Sequence, residues 1–128
     1  MIEVVAALIH QEDQILIAQR SAKKARPLLW EFIGGKVEKN ETQQQALIRE
    51  CKEEMDIDIK VEDIVTEVAY SYPDVTIHLT LLSCVIVKGT PKCLEHEQMK
   101  WIHKDELLNY EFCPADTAFI PYILKKEA

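Results

Sequence analysis

The chain has 128 residues, 48% of them apolar and 29% charged, which suffices for one well-formed core and excludes a disordered segment. With 15 basic against 22 acidic residues the net charge is −7. That excludes non-specific binding to duplex nucleic acid or to an anionic membrane, but not a small phosphorylated ligand whose charge a cation bridges.

No stretch approaches the roughly 18 unbroken apolar residues of a membrane span. The N-terminus enters a strand pattern directly, without the look of a signal peptide. A cytoplasmic chain with a single domain over residues 1–128 is therefore expected. Cys51, Cys84, Cys93 and Cys113 show no two-residue spacing and read as free thiols. His10, His78, His96 and His103 are equally scattered and form no metal-binding helix. His78 and His103 read as strand histidines with ordinary partners.

In chain order, residues 2–9 are β-rich, residues 11–14 read as a turn, and residues 15–18 resume a strand, which makes a hairpin. Residues 21–27 form a basic, irregular connection. Residues 28–33 are a short apolar stretch that ends at Gly34-Gly35, a turn signal. Thr42 and Gln45 have capping-box spacing. Ala46, Leu47, Cys51 and Met55 then make one buried stripe of a helix that ends near Asp56. Residues 57–61 alternate like a strand. Residues 64–72 and 76–87 predict two long strands joined at Pro73-Asp74. Residues 100–103 predict a short strand and residues 105–108 a helical turn. A last helix is expected over residues 115–126, with Pro121 inside or near it. Strands on both sides of a helix, with a second helix at the end, predict an α/β fold with a mixed sheet covered by helices.

Glu50, Glu53 and Glu54 stand at i, i+3 and i+4, so they share one helix face. Such repulsion costs about 0.2–0.5 kcal/mol per pair in an isolated helix. A hard divalent cation with oxygen ligands turns that cost into a gain. From Gly35 the pattern is Gly, five residues, Glu41, seven residues, Arg49-Glu50-Cys51-Lys52-Glu53-Glu54-Met55-Asp56-Ile57. This resembles the Nudix box. A chance match of its six fixed Gly, Glu and Arg positions has a probability on the order of 10⁻⁵ or less. Two positions depart. Cys51 fills an aliphatic position as a small hydrophobe. Asp56 replaces the second Gly, where a left-handed residue closes the helix.

The resemblance extends over nearly the whole chain. Ala18-Gln19-Arg20, the run from Leu29 to Lys36, Glu95-His96 with Trp101, and Pro114-Ala115-Asp116 are similar to the MutT-type members, including those that hydrolyse CTP. Ile33 stands where a proline is common. The resemblance implies the Nudix fold, an α/β/α sandwich with a central mixed β-sheet. It implies that Glu50, Glu53 and Glu54 bind Mg²⁺, with Mn²⁺ as a substitute, and that one of them is available as a base. The Gly34 carbonyl and Glu95 are further ligands, and Glu95 is also a candidate base. Glu41 and Arg49 are expected to pair and hold the loop against the helix. Arg20 offers a planar fork for a phosphate. Glu31, Phe32, Lys36, Tyr72 and Asp116 are the remaining substrate-binding candidates, while Trp30 and Phe32 also read as core.

The implied reaction is hydrolysis of a nucleoside triphosphate to the monophosphate and pyrophosphate, with a small-molecule nucleotide as the only partner. A monomer or a homodimer fits equally. The absence of an added domain favours a free nucleotide over ADP-ribose, a dinucleotide or an RNA cap. A catalytically silent nucleotide sensor would lack a metal glutamate, and none is missing. Asp116 also reads as a helix N-cap. As an acceptor it suits an exocyclic amino group, which points to CTP, dCTP or 5-methyl-dCTP, with 8-oxo-dGTP next.

Overall fold

The computed structural model describes residues 1–125. Strand β1 (Ile2–Gln11) and β2 (Gln14–Gln19) form the expected antiparallel hairpin, with Glu12 turning at φ 55°. They continue into β3 (Trp30–Glu31), β4 (Ile33–Lys36), helix α1 (Gln43–Met55), β5 (Asp58–Ser71), β6 (Thr76–Lys88) and β7 (Gln98–His103). A 3₁₀ turn at Lys104–Asn109 precedes α2 (Pro114–Thr117) and α3 (Ile120–Lys125).

β1 is the centre of the sheet. It runs parallel to β6, from Ile2 opposite Ile77 to Ile9 opposite Cys84. Its other edge is shared by β4, antiparallel along Val4–Ala7, and by the end of β2. β5 lies outside β6, and β2 also carries β3 and β7. The sheet is therefore mixed, as expected.

Alternation along the strands builds two cores, one on each face. Ala6 and Leu8 of β1, Ile15 and Ile17 of β2, and Leu79 and Leu81 of β6 join Phe119, Ile120 and Ile123 from the C-terminal helices. Val5, Ala7 and Ile9, with Leu16, Ala18, Leu82 and Cys84, meet Ala46, Leu47, Cys51 and Met55 of α1. This is the α/β/α sandwich.

Helix α1 follows its local signals. Thr42 accepts from Gln45 N–H at 3.1 Å, and Gln45 accepts from Thr42 N–H at 2.9 Å. Asp56 closes the helix in the left-handed region, at φ 55°, and its N–H donates to Lys52 O. Its carboxylate sits 3.0 Å from Lys92 Nζ and 3.5 Å from Lys52 Nζ, which offsets part of the backbone cost.

Three expectations change. Residues 57–61 and 64–72 are one strand, β5, kept continuous by register shifts between Val61 and Thr66. The last helix is broken into α2 and α3. Pro121 has no N–H to give to the carbonyl of Thr117, so the helix cannot run through. Lys126, the expected end, lies outside the described residues.

Gly34-Gly35 is not a turn. Both glycines sit inside β4, opposite Ala6 and Val5. A Cβ on Gly34 would stand 1.9 Å from Val5 O, and one on Gly35 would stand 2.4 Å from the Glu50 carboxylate. They are needed for close approach, not for an unusual φ. Gly34→Ala should therefore cost several times the stability that Gly35→Ala costs, because a sheet backbone cannot retreat and a glutamate side chain can. Thermal melts of the two variants test this; equal losses would mean that β4 yields as easily as a side chain.

Candidate active site

A cavity of about 480 Å³ opens where β4, the C-terminal half of α1, the β2–β3 loop and the residues before β7 converge. That is within the range of small-ligand sites. At one end stand Glu50, Glu54 and Glu95, with Gly34, Gly35 and Lys36 beside them. At the other stand Glu31, Phe32, Tyr72, Cys113 and Asp116.

Arg49 organises the first end. Its Nε and Nη2 grip Glu41 at 2.8 and 3.0 Å, in the expected pair. Nη2 also donates to Lys36 O at 3.0 Å, and Nη1 donates to Glu50 at 2.9 Å. The loop from Lys36 to Glu41 is thus tied to the helix. Glu53 Oε1 lies 3.5 Å from Nη1, but its side chain is 53% exposed and stands outside the cavity lining. The structure brings Glu50 and Glu54 together and leaves Glu53 at the rim.

Glu54 is buried. Desolvation, followed by a hydrogen bond and repulsion from Glu50 and by repulsion from Glu31, pushes its carboxyl up to about 10. A buried acid that keeps its proton only for want of a countercharge is a fitting ligand for a divalent cation. Glu50, Glu54 and Glu95, with Gly34 close by, are oxygen donors suited to Mg²⁺. Among the described residues the group whose ligand atoms all lie within 4.8 Å of one another is a different one: Glu31, Cys113 and Asp116. The Cys113 thiol is a poor partner for a hard cation, and burial holds it protonated, up to about 12.

The segment carrying Glu95 is docked on the helix end. Lys92 N–H donates to Met55 O at 2.9 Å and Leu94 N–H to Glu54 O at 3.3 Å. Glu95 itself remains about half exposed, 3.9 Å from Lys24 Nζ.

At the other end, residues 111–113 zip onto β3. Trp30 N–H donates to Glu111 O at 2.9 Å, and Cys113 N–H to Trp30 O at 2.8 Å. This sets α2 beside Phe32, whose N–H donates to Asp116 Oδ1 at 3.1 Å. Asp116 is therefore not the N-cap that its sequence position suggests; Cys113 holds that position, and Asp116 is buried in the first turn. Desolvation and then the nearby Glu31 push its carboxyl well above the usual range. Glu31 goes the other way. Burial would raise it, but hydrogen bonds from His96 and the Arg20 charge outweigh that and hold it ionised.

Arg20 is committed inside the protein. Its Nε donates to Ala25 O at 2.7 Å and its Nη1 to Glu31 at 2.9 Å. It supports Glu31 and does not present the open fork expected for a phosphate. Lys36 lines the cavity and is exposed. Phe32 is 3% exposed and stacks on Phe112 at 5.3 Å, so it belongs to the core and walls the cavity at once. Trp30 is core, packed edge-on against Tyr110. The Tyr72 hydroxyl accepts from Ala115 N–H at 2.9 Å, and the Arg26 guanidinium covers its ring at 3.9 Å. His78 is satisfied by Glu3 and Glu67, as expected of a strand histidine.

Sequence reasoning missed His96. Its Nε2 lies 2.8 Å from Glu31 and 3.8 Å from Glu54. The only local signal was its place directly after Glu95, in a loop with no periodicity.

The buried proton on Glu54 has a stability consequence. Its folded pKa lies above its ordinary value of 4.5, so the folded state binds the extra proton between about 4.5 and about 10. Stability of the metal-free protein should then fall as pH rises through that window. Mg²⁺ should raise the melting temperature most at the alkaline end, where no proton has to be displaced. Melts in chelator and in Mg²⁺, from about pH 6 to about pH 9, check this; a flat profile in chelator would remove the buried proton.

The NUDIX domain family matches residues 4–122. Over 116 residues the chain is 42% identical to the CTP pyrophosphohydrolase of Escherichia coli (strain K12), spanning 91% of this chain and 86% of that protein. It is 30% identical over 122 residues to the 8-oxo-dGTP diphosphatase of the same organism, spanning 93% of each. The solution structure of the E. coli ORF135 protein superposes with a TM-score of 0.87 at 38% identity, covering 100% of this chain and 91% of that one. With the box residues gathered on one helix against the two close-packed glycines, and with matches that span the sheet and both helical layers, the chain belongs to the Nudix family of pyrophosphohydrolases.

Proposed function

We propose that the protein hydrolyses a nucleoside triphosphate to the monophosphate and pyrophosphate, with a cytosine nucleotide (CTP, dCTP or 5-methyl-dCTP) preferred. The observation that carries this is one cavity lined by Glu50, Glu54 and Glu95 and also by Glu31 and Asp116, where Arg20 and His96 favour ionised Glu31 and burial favours neutral Asp116.

At the first end, Glu50, Glu53, Glu54, Glu95 and the Gly34 carbonyl would hold Mg²⁺, or Mn²⁺ in its place. The ion, when bound, neutralises the polyphosphate and orients it. Arg49 and Glu41 keep the loop and Glu50 in register. A carboxylate among Glu50, Glu54 and Glu95 takes the proton of the attacking water. Lys36 adds a cation for the phosphates.

At the second end, ionised Glu31 accepts and protonated Asp116 donates. That pair matches cytosine, whose amino group donates and whose ring nitrogen accepts. It mismatches uracil, where both atoms have the reverse role. Phe32 and Tyr72 flank the ring. The reading that the base is met by a donor and an acceptor replaces the simpler one in which Asp116 alone accepts. Relatives named as 8-oxo-dGTP diphosphatases keep 8-oxo-dGTP as the second substrate to examine. Hydrolysis of a small free nucleotide also fits a cytoplasmic chain acting as one domain, as a monomer or a homodimer. Among the described residues no helix is long and apolar enough to cross a membrane.

Variants test the two ends. Glu54→Gln should keep the fold and lose at least about a hundredfold in kcat, the scale of losing a base or a metal charge. Wild-type turnover would refute the site. Asp116→Ala, which removes the donor, should narrow the CTP/UTP ratio of kcat/KM, with Mg²⁺ dependence unchanged, whereas Asp116→Asn, which keeps one, should not. An unchanged ratio in Asp116→Ala with only a lower melting temperature would leave Asp116 as the anchor of Phe32 and remove the argument for cytosine.

A further inference from the structure

His96 enters the reading above only through its bond to Glu31, yet its Nε2 faces two carboxyl groups of the site. Its Nε2 stands 2.8 Å from Glu31 Oε2 and 3.8 Å from Glu54 Oε1. The imidazole is 7% exposed. Its backbone is fixed from several directions: Cys93 Sγ donates to His96 O at 3.1 Å, and Glu97 N–H donates to Gln19 O at 2.9 Å. Leu94 is bonded to the last turn of α1. The ring is therefore placed by the fold, not by a ligand.

Its hydrogen bonding is one-sided. Nε2 faces two carboxyl groups, so it is the nitrogen that carries the proton and donates. With Arg20 on Oε1 and His96 on Oε2, the Glu31 carboxylate has a donor on each oxygen and cannot rotate. Each oxygen keeps a second lone pair. On the other side of the ring, Nδ1 is the one buried side-chain nitrogen or oxygen without a hydrogen-bond partner among the described residues.

We infer that His96 is a positioning residue: its Nε2 on one oxygen and the Arg20 guanidinium on the other fix the Glu31 carboxylate for reading the base. The inference rests on the proposed role of Glu31 in base recognition.

The test compares His96→Ala, His96→Gln and Glu31→Gln with the parent. It measures kcat and KM for CTP and UTP at saturating Mg²⁺, the Mg²⁺ half-saturation and the melting temperature. His96→Ala should raise KM for CTP at least about tenfold and move the CTP/UTP ratio to that of Glu31→Gln, with kcat and Mg²⁺ half-saturation within about twofold of the parent. His96→Gln, which restores a donor toward Glu31, should recover part of the ratio.

A changed kcat or Mg²⁺ half-saturation with the CTP/UTP ratio intact would overturn the inference, because His96 would then act through Glu54. A lower melting temperature with parental kinetics would overturn it as well. If Glu31→Gln itself leaves the ratio intact, the base-reading assignment fails first. A ratio that moves in His96→Ala but not in Glu31→Gln would overturn the inference separately, since His96 would then act without Glu31.

Discussion

Every nitrogen of the Arg49 guanidinium is engaged, and what it holds decides the charge balance of the site. Glu41, the Lys36 carbonyl and Glu50 share one cation. The same cation that makes the loop rigid is thereby unavailable to Glu54. Arg20 is likewise committed to Glu31. Glu54 is left with acidic neighbours, and its environment favours the neutral form. The helix is stable only because its repulsions are settled unevenly: the outer carboxylates by arginine and solvent, the inner one by a proton. A divalent ion bound at Glu54 would supply the countercharge that Arg49, held elsewhere, does not.

Close approach is the second constraint. Helix α1 can lie against β4 with Glu50 pointing at the sheet because Gly35 has no Cβ, and β4 can lie against β1 because Gly34 has none. The catalytic helix and the central strand are thus brought together by two missing methyl groups. An arrangement of this kind is rigid in the sense that matters for a site, since close-packed backbone has nowhere to move.

The sequence made helix α1 legible because its determinants are local. The capping box, the left-handed Asp56 and the stripe of Ala46, Leu47, Cys51 and Met55 each lie within a few residues of one another. The box spacing singled out Glu50, Glu53 and Glu54 for the same reason. What was not legible depends on distant partners. Gly34-Gly35 has the composition of a turn, and only its neighbours in β1 and α1 make it a strand. Asp116 follows a proline as an N-cap would, but it is bonded to Phe32, 84 positions away. Arg20 looked open until Glu31 and Ala25 closed on it. His96 drew no attention, because a lone histidine in a loop has no pattern.

The parallel pairing of β1 with β6 also sets an order of assembly. Ile2 to Ile9 must wait for residues 77–84 before their second edge is covered. During synthesis β1 can pair at once with β2 and β4, but its other edge stays open until more than half of the chain has emerged. That edge belongs to an apolar strand, Val5 to Ile9, of the sort that adds to any free strand nearby. Pairing across such a separation is slow to nucleate. The segment that floors the catalytic cavity is thus the first to be made and among the last to be sealed, and newly synthesised chains are most prone to associate with one another in that interval.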